Sequence, residues 1–413
     1  GILALYLSDF SPEERAPMRN RLKATLADFI QQADLVLLGL CCAATLFGMV
    51  LIASATHYMK LSGMLRYVGV QGAAMVLGLG AYVFMSMLDV EVLLKKWKWV
   101  LAFNFIFIGL LLTPLGVGGD TTGNQAWLRI PGIPFQIGPA EVVKITFTLL
   151  LAKQLEWLRE EKRDLRSFPA ALMVAGHTLL LMGYYVIISG DMGNALTFFF
   201  IFLCMAFAAG FALRWFALLF LGGGAAVSAV LLLDLVPSSM EYMLNRFRVL
   251  LDHSYDSLGV GWQQTRSLMA IGSGGLLGQG YMQGTQTQSS SPESLPYRWT
   301  DFIFSVCGEE LGMVGCLAVI ALLTAIIIRV LLVARRAQTP LHCYICVGMA
   351  AMLIYQTVVN IGMCLFVMPT IGITLPFFSY GGSSLLTLFA AMGVVSGIKK
   401  RSPTIRRPGR PLG

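Results

Sequence analysis

The chain has 413 residues, of which 56% are hydrophobic and only 13% charged, with a net charge of +8 and a mean hydropathy of +0.72. Soluble domains carry roughly twice that charged fraction, and apolar runs of about 20 residues read as membrane spans, so a water-soluble protein is excluded. The eight cysteines all lie in or beside apolar segments, which is the placement of small packing residues. Cys343 and Cys346 form a CxxC, but no second pair or His cluster completes a zinc site.

In chain order, residues 1–34 hold Glu13, Glu14, Arg15, Arg19, Arg21 and Lys23 instead of an apolar core, which predicts a cytoplasmic tail and not a signal peptide. Ten apolar segments follow, at about 35–55, 67–88, 99–115, 139–158, 169–188, 192–211, 215–236, 302–328, 341–368 and 377–398. The fourth is amphipathic through Glu141, Lys144, Lys153, Gln154 and Glu156, and is expected to face protein or a polar cavity more than lipid. The fold class is therefore an all-α polytopic membrane protein of about ten transmembrane helices, with a membrane domain over 35–398 and a basic tail over 399–413.

Most of the 30 Lys and Arg residues fall in one set of loops: the N-terminal tail, Lys95–Lys98, Arg159–Arg166, Arg214, Arg329–Arg336 and the C-terminal tail. The positive-inside rule makes that set, and both termini, cytoplasmic. The net charge is then anchoring against acidic membrane lipid, with no nucleic acid required. The opposite face receives 116–138, 189–191, the large loop 237–301 between the seventh and eighth spans, and 368–375. These segments are the richest in Gly, Pro, Gln, Ser and Thr, which places any chemistry on the extracytoplasmic side.

Asp301 ends the large loop and precedes the apolar Phe302, Ile303 and Phe304. A carboxylate at that interface is partly desolvated, which raises its pKa toward that of a useful base; the same position also suits a helix N-cap. Glu309 and Glu310 lie inside the eighth span, where a charge costs about 2.5–3.5 kcal/mol and usually faces a cavity or a partner; either pairs structurally with Lys144, Arg266 or Arg298, or binds a cation. Glu141 and Lys144 share a helix face, either as a self-satisfied pair or as support for a catalytic carboxylate or a contact to a substrate phosphate. Asp191 in SGDMGNA reads equally as a cap or as a site residue. Gly272, Gly274, Gly275, Gly278, Gly280 and Gly284 are too dense for a stable helix and predict tight turns, with backbone N–H groups free to cradle an anion. The Leu375–Ser384 cluster LPFFSYGGSS begins the last span and suits close helix packing.

Three long motifs carry a resemblance: GWQQTRSLMAIGSGGLLGQG (261–280), TDFIFSVCGEELGMVG (300–315) and NIGMCLFVMPTIGITLPFFSYGGSS (360–384). With AWLRIPG (126–132), PAEVVK (139–144) and GDMGNA (190–195), they make the chain resemble the SEDS family, the RodA and FtsW group, over about residues 35–400. That resemblance implies a peptidoglycan glycosyltransferase that polymerises lipid II on the outer face and works with a class B penicillin-binding protein. It implies Asp301 as the essential aspartate, Trp127 as the loop tryptophan, and Pro139, Ala140, Glu141 and Lys144 as the Pro-Ser-Glu-x-x-Lys element.

The chain departs from the family pattern at Ala126 (usually Arg), Gly138 (usually Gln), Gly190 and Met192 (in place of Pro-x-Leu), and Ile371, where some members carry Lys. The family Glu four residues before the aspartate is Tyr297 here, with Glu293 as the nearby substitute. The expected site is thus Asp301 as general base, with Trp127, Glu141, Lys144, Asp191, Gln263, Arg266, Ser273, Arg298 and Ser379 binding substrate. Arg266, Arg298, Lys144 or a divalent cation would neutralise the leaving pyrophosphate. A lipid II flippase and a non-catalytic cell-wall scaffold are the alternative classes; a transporter would carry its polar groups near the bilayer midplane, whereas this chain carries them at the rim.

Overall fold

A computed structural model describes residues 33–118, 124–132, 135–161, 165–233, 245–250, 252, 260–291 and 294–401. The tails 1–32 and 402–413, Glu293 and much of 234–259 lie outside the described residues. Each of the ten apolar segments coincides with a helix. They are α1 (Leu35–Thr56), α2 (Leu61–Met87), α4 (Trp97–Gly109), α5 (Pro139–Glu160), α6 (Phe168–Ser189), α7 (Met192–Ala209), α8 (Leu213–Leu232), α10 (Ile303–Arg336), α11 (Pro340–Cys364) and α12 (Gly382–Arg401). Two shorter helices, α3 (Val90–Lys95) and α9 (Val260–Gly274), a 3-10 turn (Leu110–Leu112), a helical stretch at 245–250 and a two-stranded antiparallel ribbon of β1 (Gly116–Val117) with β2 (Trp127–Leu128) complete the described fold.

Eight of these helices are long and apolar enough to cross a membrane, which makes the chain an all-α polytopic membrane protein. α4 is shorter, and α5 departs because of its charged residues. α5 buries fourteen of its 22 residues, including Glu141 and Lys144, so it is an inner helix as its amphipathic sequence predicts. α11 and α12 form the centre, with 72% and 83% of their apolar windows buried, whereas the corresponding window of α8 buries nothing. The exposed side chains of such a helix face a solvent as apolar as themselves, so exposure here does not signal instability.

The bundle is pinned at one end by Asp34, which caps α1 through the Leu37 N–H. Its carboxylate accepts from Arg329 Nε and Nη2 at 2.8 and 2.9 Å and lies 3.2 Å from Lys399 Nζ. Tyr82 Oη donates to the Asp34 carbonyl at 2.9 Å, and Ser396 Oγ accepts from the Asp34 N–H at 2.9 Å. Helices α1, α2, α10 and α12 therefore meet on one fully buried acid.

The glycine-dense run is not uniformly turn-like, as its composition suggests. α9 runs through Gly272 and Gly274 and stops only at Gly275, whose φ of +55° takes the chain out of the right-handed helix. Gly274 is required by contact, since a Cβ there would overlap the Gly308 carbonyl oxygen on α10, whereas a Cβ at Gly272 would meet nothing within 4 Å. α10 itself breaks at Gly312 (φ +66°, ψ −161°), and the segment that follows α9 fills the break. Gln279 and Gly280 N–H donate to the carbonyls of Glu309 and Glu310 at 2.9 and 3.1 Å, while Met313 and Val314 N–H donate to the Gly275 and Leu276 carbonyls at 2.9 and 3.2 Å. Backbone groups orphaned by the kink are thereby satisfied inside the protein.

Glu309 and Glu310 complete this dock. They do not pair with Lys144, Arg266 or Arg298, as their depth in the span predicts. Glu309 accepts from the Gln286 and Thr287 N–H groups at 2.7 and 2.8 Å and from the Thr285 and Thr287 hydroxyls at 3.1 and 2.6 Å. Glu310 accepts from Ser54 Oγ, from Met282 N–H at 3.1 Å and from Gln288 Nε2 at 2.8 Å. Amide and hydroxyl donors on a loop solvate both buried carboxylates, so no cation is needed.

Candidate functional site

Asp301 lies in a turn that is fixed through its backbone. The Trp299 carbonyl accepts from the Tyr380 N–H at 2.8 Å, the Thr300 carbonyl from Ser379 Oγ at 2.6 Å, and the Asp301 carbonyl from Asn360 Nδ2 at 2.8 Å. Asn360 Nδ2 also donates to the Ile373 carbonyl at 2.7 Å, tying the turn to the segment before α12. Tyr297, where the family carries Glu, opens the turn with a φ of +46°, and its carbonyl accepts from the Thr300 and Phe302 N–H groups. The N-cap of α10 is Phe302, which makes no side-chain capping bond, so the capping alternative for Asp301 does not hold.

The carboxyl group of Asp301 has a pKa pushed up to about 6, from the ordinary 3.8. Burial is the main cause; the Arg246 guanidinium pulls the value down and Asp191 pushes it up. Arg246 also donates to the Thr370 carbonyl, and Gly372 brings the same loop to Asp301, since a Cβ there would lie 4.0 Å from Oδ2. On its other side this loop meets α7, where a Cβ at Gly193 would overlap the Ile371 carbonyl oxygen. Segments distant in sequence, 191–194, 246, 299–301 and 370–373, thus converge on one carboxyl.

A polar chain runs from this point into the bundle. Asp191 caps α7 through Asn194 N–H at 3.2 Å and also accepts from Asn194 Nδ2 at 2.7 Å and Tyr185 Oη at 3.1 Å. The cap reading of Asp191 is therefore met, and the same carboxylate lies close enough to raise the pKa of Asp301. Asn194 Oδ1 accepts from Lys144 Nζ at 3.1 Å, and Lys144 Nζ donates to Glu141 Oε1 at 2.8 Å. Lys144 is fully buried, so the pair depends on these hydrogen bonds for its solvation. Trp127 lies beside the Glu141 end of this chain: its ring packs over Gly138, where a Cβ would lie 3.2 Å from Cζ3 and 3.4 Å from the Glu141 Cγ.

Of the expected site residues, Asp191 acts on Asp301 directly, and Lys144, Glu141 and Trp127 follow from it along this polar chain. Others have structural work instead. Arg298 is buried and donates to the carbonyls of Gln286, Thr287 and Ser289 and to Ser294 Oγ, with its guanidinium 4.1 Å from the Tyr58 ring centroid. It holds the 286–294 loop and is not a spare counter-charge. Ser379 bridges the Leu375 N–H and the Thr300 carbonyl, and Ser273 bridges the Ala270 carbonyl and Gln279 Nε2, so the one proton of each hydroxyl is already donated within the protein and one acceptor lone pair remains. Gln263 and Arg266 are half-buried on α9.

The neighbouring Gln264 is the residue that reaches inward, donating to the Met363 and Met368 carbonyls at 3.1 and 2.7 Å. Ser267 adds bonds to Ser305 Oγ and the Cys364 carbonyl at 2.5 and 2.7 Å. Sequence reasoning missed Arg246, Asn194, Tyr185 and Asn360. Asn194 was the accessible one, because it stands three residues after Asp191 on the first turn of α7. Among the described residues no three His, Cys, Asp or Glu side chains cluster as metal ligands.

The family model described as "Cell cycle protein", for FtsW, RodA and SpoVE, matches residues 34–403. The chain is 33% identical over 382 residues to a "Probable peptidoglycan glycosyltransferase FtsW" of Trichlorobacter lovleyi, covering 89% of this chain and 93% of the relative. It is 35% identical over 308 residues to the "Peptidoglycan glycosyltransferase MrdB" of Escherichia coli (strain K12), covering 73% and 77%. Among solved structures, a chain from "Structural coordination of polymerization and crosslinking by a peptidoglycan synthase complex" superposes with a TM-score of 0.72 at 29% identity, covering 90% of this chain and 98% of that one. The Thermus thermophilus rod shape determining protein RodA superposes with a TM-score of 0.62 at 26% identity, covering 90% and 98%.

Proposed function

Because the chain belongs to the FtsW, RodA and SpoVE family, we propose that it is a peptidoglycan glycosyltransferase whose general base is Asp301. The single observation that carries the assignment of the base is the environment of that carboxyl. A group with a pKa near 6 is mostly ionised at neutral pH yet basic enough to accept a proton as a bond forms.

In this reading the substrate is lipid II, with its prenyl tail in the bilayer and its disaccharide pyrophosphate at the outer surface. Asp301 takes the proton of the acceptor sugar hydroxyl as that oxygen attacks the donor anomeric carbon. The bond from that carbon to the pyrophosphate oxygen breaks, undecaprenyl pyrophosphate leaves, and the anomeric configuration inverts. General-base assistance of this kind contributes about 10²–10⁴ in rate.

Arg246 replaces Arg298 as the protein group suited to the leaving pyrophosphate, because its positive charge already acts on Asp301. Lys144 is committed to Glu141 and Asn194, so its part is to hold Asp191 in place. Trp127 offers a ring to sugar or prenyl surface. The excess of Lys and Arg in one set of loops supports a topology with both termini in the cytoplasm and Asp301 on the outer side. A class B penicillin-binding protein is the expected partner; the similarity to a chain of a peptidoglycan synthase complex supports it.

The test is incubation of the purified protein with lipid II, with and without EDTA, followed by separation of the products. Glycan ladders establish the polymerase and the EDTA arm reports any need for a divalent cation. Lipid II transfer across vesicles without ladders would establish a flippase, and neither activity would leave a scaffold.

A further inference from the structure

A half-open cavity of about 570 Å³ lies between α4, α5 and α6, well away from Asp301. Its lining on α5 begins near Leu150 and ends at Trp157, and Lys153 is about 18 Å along the helix axis from Glu141. The volume falls in the range of about 300–1,000 Å³ typical of small-molecule sites. Its walls are mostly apolar, with Phe105, Leu150 and Leu180 among them. Such walls offer too few hydrogen-bond partners for a free sugar or nucleotide, and suit a hydrocarbon chain.

The polar groups are few and specific. Lys153 lines the cavity, its side chain is 36% exposed, and one of its three N–H donors is held by Glu156 Oε2 at 2.8 Å. Gln154 Nε2 donates to the Met173 carbonyl at 3.2 Å, so its Oε1 is the acceptor toward His177 Nδ1 at 2.9 Å. That bond fixes the His177 proton on Nδ1 and makes Nε2 an acceptor. Nε2 is buried and has no hydrogen-bond partner among the described residues, although His177 lines the cavity. The cavity thus brings together an apolar channel, a lysine with two N–H donors to spare and, behind the wall formed by His177, an unfilled buried acceptor. At its edge stands Trp97, half exposed, with Lys98 Nζ 5.8 Å from the ring centroid and Lys95 and Lys96 just before it.

We propose that this cavity binds one anionic glycerophospholipid of the surrounding leaflet, of the phosphatidylglycerol class. One acyl chain lies along Phe105, Leu150 and Leu180, the phosphate meets Lys153, and a headgroup hydroxyl donates to His177 Nε2. The two N–H donors that Lys153 does not give to Glu156 supply the charge complementarity that favours an anionic headgroup over a zwitterionic one. The site is independent of the polymerase reading, since none of its residues belongs to the Asp301 network.

Gly176 allows a direct test, because it lines the cavity and a Cβ placed there meets nothing within 4 Å. A Gly176→Leu side chain would fill the channel from a helix position that favours Leu over Gly. The purified full-length protein would be exposed to equimolar phosphatidylglycerol and phosphatidylcholine in mixed micelles, and bound lipid counted by native mass spectrometry. The expected result is one retained phosphatidylglycerol, preferred at least tenfold over phosphatidylcholine. Gly176→Leu should reduce its occupancy at least tenfold, and Lys153→Gln should bring the preference close to one while lipid is still retained. Equal retention of both lipids by the unaltered protein, or undiminished phosphatidylglycerol on Gly176→Leu, overturns the proposal. The Lys153→Gln arm decides the headgroup assignment even if Gly176→Leu fails to fold.

Discussion

Replacing Glu309 by Gln tests the docking of the 279–288 loop on the kinked helix α10. The two carboxylate oxygens each face one backbone N–H: Oε1 that of Gln286 at 2.7 Å and Oε2 that of Thr287 at 2.8 Å. The Thr285 and Thr287 hydroxyls can turn and accept from a new amide, but a backbone N–H cannot. Whichever oxygen becomes NH₂, one buried N–H then faces a donor. Hydrogen bonds to a charged group are worth about 1.5–3 kcal/mol, and an unsatisfied buried group costs a similar amount. The loop should therefore open locally about 10- to 100-fold more often, at about 1.4 kcal/mol per tenfold. Hydrogen exchange at the Gln286 and Thr287 amides reads this directly, in protein held in lipid nanodiscs. Protection equal to that of the unaltered protein would refute the claim that Glu309 anchors the loop.

Other perturbations follow from the same geometry. Lys144→Met leaves Glu141 and Asn194 without their buried partner and should destabilise the protein by about 3–5 kcal/mol; adding Glu141→Gln should recover part of that in thermal unfolding, and a double variant no more stable than the single would contradict the pairing. Gly274→Val should separate α9 from α10, because its Cβ would overlap the Gly308 carbonyl oxygen; unchanged unfolding temperature and activity would contradict the close contact. Polymerisation should fall as pH drops through about 6, as Asp301 takes up its proton, and a profile flat from pH 8 to 5 would remove the base.

The raised pKa of Asp301 also has a consequence for stability. Its protonated form is the one the fold favours, so the contribution of this group is fully present below 3.8 and is lost as pH rises through about 6. Replacing it with neutral Asn should therefore not lower the unfolding temperature at pH 8, which separates lost chemistry from lost structure.

The membrane helices were legible because each is a long apolar run, and α5 was legible as the inner one because Glu141, Lys144 and Glu156 interrupt its apolar face. Asp301 was legible by position, at the boundary between a polar loop and an apolar helix. What escaped were partnerships with backbone. Glu309 and Glu310 bind loop amides, and amides leave no trace in a sequence, so cations were expected. Arg298 was read as a counter-charge, yet it holds three carbonyls for the same reason. Helix α9 was hidden because Gly274 answers to the Gly308 carbonyl of α10, a long-range contact, and not to local turn preference. Arg246 was one basic residue among several in a long loop, and only the approach of 370–372 singles it out.

The most direct measurement is lipid II polymerisation by purified Asp301→Asn protein at pH 8, alongside its unfolding temperature. A stable fold with ladder synthesis reduced at least about 10²-fold is the expected result. A folded variant that still makes glycan at the rate of the unaltered protein would contradict the assignment of this carboxyl as the proton acceptor.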